Sequence, residues 1–395
     1  MIRVLEYIPI NGLKPHGGPI GYLYNLKNGY ESIEQEDISL SFLPEDTNFA
    51  KKRSVTKLKA LNNFMKAIYH RRYYKKLFKE SGDHINKKVD FSNYDIIHFH
   101  DVVSMFSVRD SLKEFSGRVC LTSHSPVPFF EETQDRMSKL EKILLGKYKK
   151  KIKGIDEWSF LNADHIIFPC EYAMEPYKKH WPEFNKLIKD KSIKYVISGT
   201  VQCLAKVEKK EIRKKYGIPD DAFLVSYVGR HTDVKGYSDL KEIGRRILAD
   251  ENTWVIVAGK EEPLSRLENN KWVEVGWTND PHSIISASDL FVLPNKETYF
   301  DLVLLEVISL GTPVLVSWTG GNKFFAGKTK GIDFFSTVDE AVSKINEFRS
   351  KSNNEKRQMM VENNDLFKKE FTVETFAKNY INLYKDIFKD DGDIR

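Results

Sequence analysis

The stretch "KETYFDLVLLEVISLGTPV" (296–314) predicts a loop, a helix and the start of a strand in close succession. We expect the helix to begin near Phe300 or Asp301 and to end at Gly311, with Pro313 opening the next strand. The preceding run, "DLFVLPN", has the composition of a buried strand. The whole segment therefore has the strand–helix–strand order of a parallel α/β sheet.

Short apolar runs separated by helical stretches form two series along the chain. The first series comprises "IRVLEYI", "ISLSFL", "YDIIHFH", "RVCLTSH", "DHIIFPC" and "KYVISG", and the second "FLVSYVGR", "WVIVAGK", "WVEVGW", "DLFVLPN", "PVLVSW" and "GIDFFS". This alternation predicts the α/β class with two doubly wound, Rossmann-like domains. We place the domains at 1–200 and 201–370, followed by an amphipathic C-terminal helix within 371–395.

Composition indicates a globular protein with a mixed surface. The 395 residues are 41% hydrophobic, and 62 basic against 56 acidic residues give a net charge of only +6. The cysteines form neither a disulfide framework nor a zinc pattern, which fits a reducing compartment: Cys120, Cys170 and Cys203. The N-terminal apolar stretch, "MIRVLEYIPI", is too short for a signal peptide. Glu306 interrupts the longest apolar run, which argues against a membrane span. We expect a cytoplasmic protein that can still contact the inner face of a membrane.

Glu306 stands among Leu304, Leu305, Val307 and Ile308, where a carboxylate without a partner would be costly. One interpretation places its side chain on the outer face of the helix or against a neighbouring lysine. The other is functional: the carboxylate accepts hydrogen bonds from the vicinal hydroxyls of a ribose. Amides at the start of the helix would then hold the attached phosphates.

Two glycine-containing loops after predicted strands suit phosphate groups. In "KPHGGPIGYLYNL", Gly17 and Gly18 let backbone amides approach an anion at a helix start, although the spacing differs from a dinucleotide fingerprint. In "GRHTDVKG", Arg230 and Lys235 supply two cations, which suits a diphosphate. The alternatives are a tight turn for the first loop and a solvated basic loop for the second.

His98 and His100 alternate along one strand and are followed by Asp101, so both imidazoles face the same side of the sheet. A metal site is conceivable, but the sequence supplies no third ligand. We favour either an acceptor cleft or a packed strand end for this pair.

Two basic segments suggest an anionic partner. Residues 51–79 hold eleven Lys or Arg and no acid, with apolar residues at helical spacing, and residues 139–153 form a second cluster. This composition is typical of an interfacial helix on an anionic membrane or of a cationic wall for an anionic acceptor. Two solvated helices with a packed underside are the plain alternative. Nucleic acid is disfavoured because no binding module accompanies the charge.

The order of these motifs resembles the family-4-type retaining glycosyltransferases of GT-B fold. The second half of the chain matches nearly throughout, from about Val225 to Gly321, through "VGR…KG", "AGK", "VGW", "ASDLFVLPN" and "DLVLLEVISLGTPVLVS". The first half matches in outline only, through its glycine loop and strand-end histidines. The resemblance implies two domains facing across a cleft, with the C-terminal helix packing back toward the first.

The resemblance also implies a role for each matching position. Arg230 and Lys235 would neutralise the diphosphate of a nucleotide sugar, and Glu306 would hold its ribose. Gly17 and Gly18 would close over the diphosphate from the first domain. His124 matches the catalytic-site histidine near the transferred sugar, and the first domain, with His98, His100 and Asp101, would hold the acceptor. Further donor contacts are implied for the base-facing loops and the helix start: Gly259, Trp277, Phe300 and Leu302.

Two positions depart from the family pattern. Where the family has Glu-x7-Glu, this chain has Thr298 eight residues before Glu306, with Glu297 shifted by one. Asp301 stands where a glycine is expected at the helix start, and its carboxylate could replace the missing one.

The activity implied is transfer of a sugar, with retention of configuration, from a nucleotide diphosphate sugar to a glycan, lipid-linked or other surface-polymer acceptor. The resemblance implies no cofactor and no metal. The alternative, which Thr298 keeps open, is a catalytically silent GT-B subunit that stabilises a partner transferase.

Overall fold

The computed structural model describes residues 1–9, 12–15, 18–43, 63–79, 89–125 and 127–389. These residues divide into two compact units. Unit 1 comprises Met1–Pro169, Pro176–Ile197 and Ala377–Arg395, and unit 2 comprises Cys170–Glu175 and Ser198–Phe376. No helix in the described ranges is both long and apolar enough to cross a membrane.

Unit 1 is built on a six-stranded parallel sheet with the strand order β2-β1-β3-β4-β5-β6. Its strands are β1 (Ile2–Tyr7), β2 (Ile38–Phe42), β3 (Ile96–Phe99), β4 (Arg118–Leu121), β5 (His165–Phe168) and β6 (Ser192–Tyr195). Every residue of β3 and β5 is buried, as expected where helices cover both faces of a sheet.

The helices of unit 1 connect successive strands. They are α1 (Pro19–Glu31), α2 (Asn63–Lys79), α3 (Val102–Ser107), α4 (Phe129–Arg136), α5 (Lys139–Leu144), α6 (Lys149–Asn162), α7 (Glu175–His180) and α8 (Phe184–Leu187). The last helix of the chain, α15 (Val373–Lys389), adds its residues from Ala377 onward to this unit.

Unit 2 contains a second six-stranded parallel sheet, with the order β12-β11-β10-β7-β8-β9. Its strands are β7 (Phe223–Val228), β8 (Thr253–Ala258), β9 (Trp272–Gly276), β10 (Leu290–Leu293), β11 (Val314–Ser317) and β12 (Ile332–Phe335). Its helices are α9 (Lys209–Lys215), α10 (Tyr237–Ile247), α11 (Pro281–Ala287), α12 (Leu302–Ser309), α13 (Val338–Ser350) and α14 (Asn353–Glu370).

Alternate residues of β7 supply two separate cores. Val225 and Tyr227 pack with Leu240 of α10 and Ile345 of α13, whereas Leu224 packs on the other face with Ile284 of α11. Both faces of the strand are therefore covered, which explains its continuous apolar sequence. The prediction of two doubly wound parallel sheets is confirmed. The strand predicted in "KYVISG" (194–199) begins two residues earlier and ends at Tyr195, as β6 (Ser192–Tyr195).

Candidate functional site

The strand order of unit 2 reverses direction between β7 and β10. In open α/β sheets, ligands bind beyond the carboxyl ends of the strands at such a switch point. The loops that follow β7 and β10 contain residues 229–236 and 294–301. They are tied together by a hydrogen bond from the Lys296 amide to the Val234 carbonyl, at 3.0 Å. The predicted cations and the start of α12 therefore lie at the same edge of the sheet.

Lys235 and Asp301 form an ion pair at this edge. Lys235 Nζ lies 2.5 Å from Asp301 Oδ2, and the Asn295 side-chain amide donates to the same oxygen at 2.6 Å. Burial raises the pKa of Asp301, but the charge and hydrogen bond of Lys235 outweigh it, and the net shift is downward. Asp301 precedes the first turn of α12 without capping it through its side chain. Its carboxylate forms the ion pair with Lys235 instead.

Arg230 remains available at this edge. Its side chain is exposed, and it has no ion pair among the residues that the structure describes. The adjacent backbones crowd together: a Cβ on Gly259 would lie 1.8 Å from the Gly229 carbonyl, and the Gly259 amide donates to Gly276 at 2.9 Å. Trp277 follows Gly276 with 79% of its surface exposed. An exposed tryptophan beside a glycine-lined loop end provides a stacking surface.

Glu306 lies on the open stripe of α12. Leu304, Leu305, Val307 and Ile308 are fully buried, whereas Leu302, Val303, Glu306 and Leu310 are partly exposed at helical spacing. The carboxylate is therefore not an uncompensated buried charge. Its side chain is 30% exposed and lies 3.5 Å from Nε2 of His282.

Sequence reasoning missed His282, the second residue of α11, which Asp280 caps. The Cys203 side chain first, and then the Glu306 carboxylate, raise the pKa of His282 to about 10. The imidazole is therefore cationic near neutrality and balances Glu306. Only a three-dimensional contact brings together residues of α11, α12 and the segment before α9, so the sequence offered no signal for this cluster.

The remaining predicted donor residues differ in accessibility. Thr298 is buried, and its carbonyl accepts a hydrogen bond from the Gly321 amide at 3.3 Å. Phe300 is also buried and packs against Phe324 and Phe325. Glu297 is partly exposed. Among these residues, side-chain contact with a ligand is open to Glu297, whereas Thr298 and Phe300 would contribute through their backbones.

A cavity of about 350 Å³ lies elsewhere on unit 2. Its lining includes Leu290, Val314 and Ile332, which begin three neighbouring strands. It therefore opens at the amino ends of β10, β11 and β12, opposite to the edge that carries the predicted donor residues. We do not include it in the candidate site.

The sheet of unit 1 also reverses its order, between β1 and β3. The register places Glu6 of β1 beside His98 of β3, and His100 is the first residue after β3. Glu6 Oε2 accepts from Nε2 of His100 at 2.7 Å, and Nδ1 of His100 lies 2.9 Å from Nε2 of His124. The structure thus brings both predicted strand-end histidines together with His124.

Burial decides between the two interpretations of the histidine pair. His98 and His100 are fully buried, and His98 contacts the Tyr384 hydroxyl at 2.7 Å and Thr122 Oγ1 at 2.8 Å. They form a packed strand end, which was one of the two interpretations, and not a cleft open to solvent. Glu6 supplies the third potential metal ligand that the sequence did not reveal, since its oxygen and the two imidazoles offer ligand atoms within 4.8 Å of one another.

Asp101 and the glycine loop complete this edge of unit 1. Asp101 caps α3 by accepting a hydrogen bond from the Ser104 amide at 2.7 Å, so its carboxylate has a structural role. Gly18 precedes α1 with φ of 80°, a conformation that favours glycine. Gly17 lies outside the described residues.

The two basic segments contact each other in unit 1. The helix α2 packs against α5, where His70 Nδ1 lies 2.6 Å from Glu141 Oε1. The packed underside predicted for α2 is formed by Tyr74 and Leu77. Several other apolar side chains of α2 and α5 remain exposed beside exposed lysines and arginines: Phe64, Met65, Tyr69 and Ile143. Residues 51–62 of the predicted segment lie outside the described ranges.

Comparisons with known proteins agree with the two-unit organisation. Residues 208–366 match the glycosyl transferases group 1 family, and residues 45–189 match glycosyltransferase family 4. Across 98% of its length, the chain superposes on 99% of sucrose-phosphate synthase from Thermosynechococcus elongatus with a TM-score of 0.66. The sequence identity of that pair is 17%, so this likeness concerns the fold alone.

Two relatives share part of the sequence. An uncharacterised glycosyltransferase of Methanocaldococcus jannaschii is 28% identical over 191 residues, 45% of this chain and 48% of that protein. A UDP-Gal:α-D-GlcNAc-diphosphoundecaprenol α-1,3-galactosyltransferase of Escherichia coli is 28% identical over 129 residues, 29% of this chain and 33% of that protein. The chain thus spans about half or less of these relatives. From its two family matches, its fold and these relatives, the chain belongs to the family-4-type glycosyltransferases of GT-B fold.

Proposed function

We propose that the chain transfers a sugar from a nucleotide diphosphate sugar, with retention of configuration, to a lipid-linked or other surface glycan. The observation that carries the proposal is the edge of unit 2 beyond β7 and β10, where Arg230, Lys235 and the start of α12, the helix that carries Glu306, lie at the switch point of a parallel sheet. Each group there matches one part of a nucleotide sugar.

The diphosphate would be held by the two cations. Arg230 is exposed, and Lys235 is accessible although it is paired with Asp301. A bound diphosphate would compete with Asp301 for the lysine, because a carboxylate and a phosphate seek the same cation. Neutralising the diphosphate stabilises it as a leaving group, which is the main catalytic effect required here.

The nucleoside would be held by Glu306 and Trp277. Glu306 accepts hydrogen bonds from the ribose hydroxyls, and His282 keeps the site near neutral charge. Trp277 offers an exposed aromatic face to the base.

The transfer step needs no nucleophilic side chain. In a front-face mechanism, the acceptor oxygen bonds to the anomeric carbon on the same face from which the diphosphate departs. The bond from that carbon to the diphosphate oxygen breaks, and an oxygen of the departing diphosphate takes the proton of the acceptor hydroxyl. The protein then contributes orientation and charge stabilisation. His124, on unit 1, would contact the transferred sugar.

The acceptor would be presented at an anionic membrane by the surface of α2 and α5. Ile143 is 76% exposed and Phe64 is 55% exposed, and both lie among exposed lysines and arginines. Exposed apolar side chains within a basic surface are typical of interfacial binding. The Escherichia coli relative is, by its name, a galactosyltransferase for a diphosphoundecaprenol-linked sugar. We infer peripheral association of this chain with the inner face of a membrane and a similar class of acceptor.

A thermal-shift screen against nucleoside diphosphates and nucleotide sugars tests the proposal. A ligand that binds the folded state raises the melting temperature according to its affinity. We expect one nucleoside diphosphate and its sugar conjugates to stabilise the protein, and the purified chain to hydrolyse that conjugate slowly. Binding without hydrolysis or transfer to any acceptor extract would instead favour a silent subunit. Absence of any nucleotide effect would refute the donor site.

A further inference from the structure

The loop between β7 and α10 carries both of the cations assigned to the diphosphate. Arg230 is the second residue after β7, and Lys235 is the second residue before α10. Within the loop, the Thr232 amide donates a hydrogen bond to the Arg230 carbonyl at 2.9 Å. The Gly236 amide donates to the Asp233 carbonyl, also at 2.9 Å. These short-range bonds make the loop a compact turn, so contacts that fix its two ends also fix both cations.

The two ends of this loop contact each other in the interior of unit 2. His231 directly follows Arg230, and Tyr237 is the first residue of α10. Their rings are stacked, with centroids 3.8 Å apart and 7° between the ring planes, and both side chains are fully buried. The ends of the loop are therefore held inside the protein, while Arg230 remains exposed.

Glu274, in the middle of β9, contacts both ends, and only 5% of its side chain is exposed. Its Oε1 lies 3.1 Å from Nε2 of His231, and its Oε2 accepts a hydrogen bond from the Tyr237 hydroxyl at 3.3 Å. The indole of Trp272, in the same strand, also donates to Oε2, at 3.0 Å. Because Oε1 and Nε2 of His231 are buried and hydrogen-bond to no other described residue, their mutual contact offsets the cost of removing both from water.

We propose that Glu274 is a positioning residue, which fixes both ends of the loop 230–236 and thereby holds Arg230 and Lys235 in place for a diphosphate. The proposal rests on the proposed function, in which these two cations bind that group. Glu274 is itself buried and acts only through the loop. Because β9 leads directly into Trp277, the same carboxylate also keeps the cation loop in register with the surface assigned to the base.

A purely structural role is the competing explanation for Glu274. A buried carboxylate is costly, however, and apolar side chains of the same volume would fill this part of the core at less cost. Apart from the bond within its own strand, its polar contacts converge on the two ends of one loop. If Glu274 acts only on stability, its loss should weaken the fold without selecting among ligands. If it positions the cations, the loss should affect binding of the diphosphate and spare the nucleoside.

Calorimetric titration of the full chain tests this difference, with the nucleoside diphosphate identified by thermal shift and with the nucleoside of the same base. Glu274→Gln keeps the size of the side chain and removes its charge. We expect it to lower the affinity for the diphosphate by about tenfold, the value of one weakened charge-assisted hydrogen bond, and that for the nucleoside by less than about twofold. An equal loss for the two ligands would overturn the proposal, as would a diphosphate affinity that changes by less than about twofold.

Asn363→Ala is the matched control for a loss of stability. Asn363 is fully buried in unit 2, and its amide donates to the carbonyls of Thr312 at 2.9 Å and Gly331 at 3.3 Å. These carbonyls precede β11 and β12, at the edge of the sheet opposite to the cations. The control should lower the melting temperature and leave both affinities unchanged. A loss of diphosphate affinity in the control as large as that in Glu274→Gln would also overturn the proposal.

Tyr237→Phe removes one contact of Glu274 and keeps the aromatic ring that stacks on His231. We expect this substitution to lower the diphosphate affinity by about threefold. Combined with Glu274→Gln, it should cause less than the product of the two single losses, because both act on the same contact, and a full product would overturn the proposal. Should Glu274→Gln not fold, Tyr237→Phe decides alone, and an unchanged diphosphate affinity would then overturn it.

Hydrogen exchange separates failure of this proposal from failure of the proposed function. If no nucleotide binds the unsubstituted protein, the proposed function fails, but exchange of the Thr232 and Gly236 amides still measures how firmly the loop is anchored. Glu274→Gln should speed their exchange by about tenfold, because the loop opens more often once its ends are released. Asn363→Ala should leave it unchanged. An equal acceleration in this control, or unchanged exchange in a folded Glu274→Gln, would overturn the anchoring role itself.

Discussion

Replacing Glu306 with glutamine separates the structural from the functional interpretation of this carboxylate. The substitution preserves shape but removes the charge from the open stripe of α12. If the side chain holds a ribose, the loss appears in nucleotide affinity. If it only pairs with His282, the loss appears in stability.

The two magnitudes differ enough to be told apart. Glu306 and His282 are 30% and 28% exposed and 3.5 Å apart, so their ion pair contributes about 1 kcal/mol or less to folding. Hydrogen bonds from ligand hydroxyls to a charged acceptor are worth about 1.5–3 kcal/mol. Their loss weakens nucleotide binding by about 10- to 150-fold.

Calorimetric titration with the nucleoside diphosphate found by thermal shift measures the affinity, and a 2′,3′-dideoxy analogue supplies the internal test. The dideoxy analogue cannot contact Glu306 through ribose hydroxyls, so it should bind the original protein and Glu306→Gln equally. Glu370→Gln is the matched control. Glu370 pairs with Lys328 in unit 2 at 2.8 Å with similar exposures, 28% and 25%.

We expect Glu306→Gln and Glu370→Gln to lose similar stability, and only Glu306→Gln to lose nucleotide affinity. An affinity change below about twofold would refute the ribose contact, as would an equal loss for the dideoxy analogue. A large loss of stability unique to Glu306→Gln would show that the contribution of the pair to folding has been underestimated.

Three further substitutions test other parts of the structure. Asp301→Asn frees Lys235 from its carboxylate and should tighten nucleoside diphosphate binding about fivefold by titration, whereas unchanged or weaker binding would contradict competition for the lysine. Ile143→Glu should reduce co-sedimentation with anionic vesicles by about tenfold. Leu161→Glu, at an exposed apolar position of α6, serves as control, and equal losses would argue against the α2–α5 surface. Asp156 is buried, and burial raises its pKa to about 7, so the folded protein favours the protonated carboxyl. The contribution of this group to the free energy of unfolding is therefore complete below pH about 4 and is lost as pH rises to about 7. Relative to the original protein, Asp156→Asn should therefore gain up to about 4 kcal/mol between these pH values in denaturant unfolding, and parallel pH profiles would refute the buried-acid assignment.

The sequence predicted the two sheets because their strands are short apolar runs between helical stretches. In a parallel sheet covered on both faces, nearly every residue of such a strand is buried, so the pattern is strong and local. The loops after β7 and β10 could also be identified, since ligands bind at the carboxyl ends of strands. Arg230, Lys235 and Glu306 could therefore be identified as candidates from local sequence alone, without knowledge of distant contacts.

The partners of these residues could not be predicted, because they come from distant parts of the chain. Lys235 and Asp301 are 66 positions apart, and the sequence gives no sign that the carboxylate of Asp301 pairs with this lysine. Glu6 and Tyr384 are 378 positions apart. A single sequence carries no signal for pairings of this kind, since each side chain has many possible partners of the same chemistry.

Glu6 and Glu306 show why the element type matters when an acid interrupts an apolar run. Glu6 lies in a strand buried on both faces, so its carboxylate enters a core whichever way it points. It must find hydrogen-bond partners there, and His100 and Tyr384 provide them. Glu306 lies in a helix that buries most of its circumference but leaves one stripe partly open, and this stripe carries the acid. A charge in the strand is therefore committed to internal contacts and acts on a ligand only through another residue. A charge on the open stripe of the helix can bind the ligand directly.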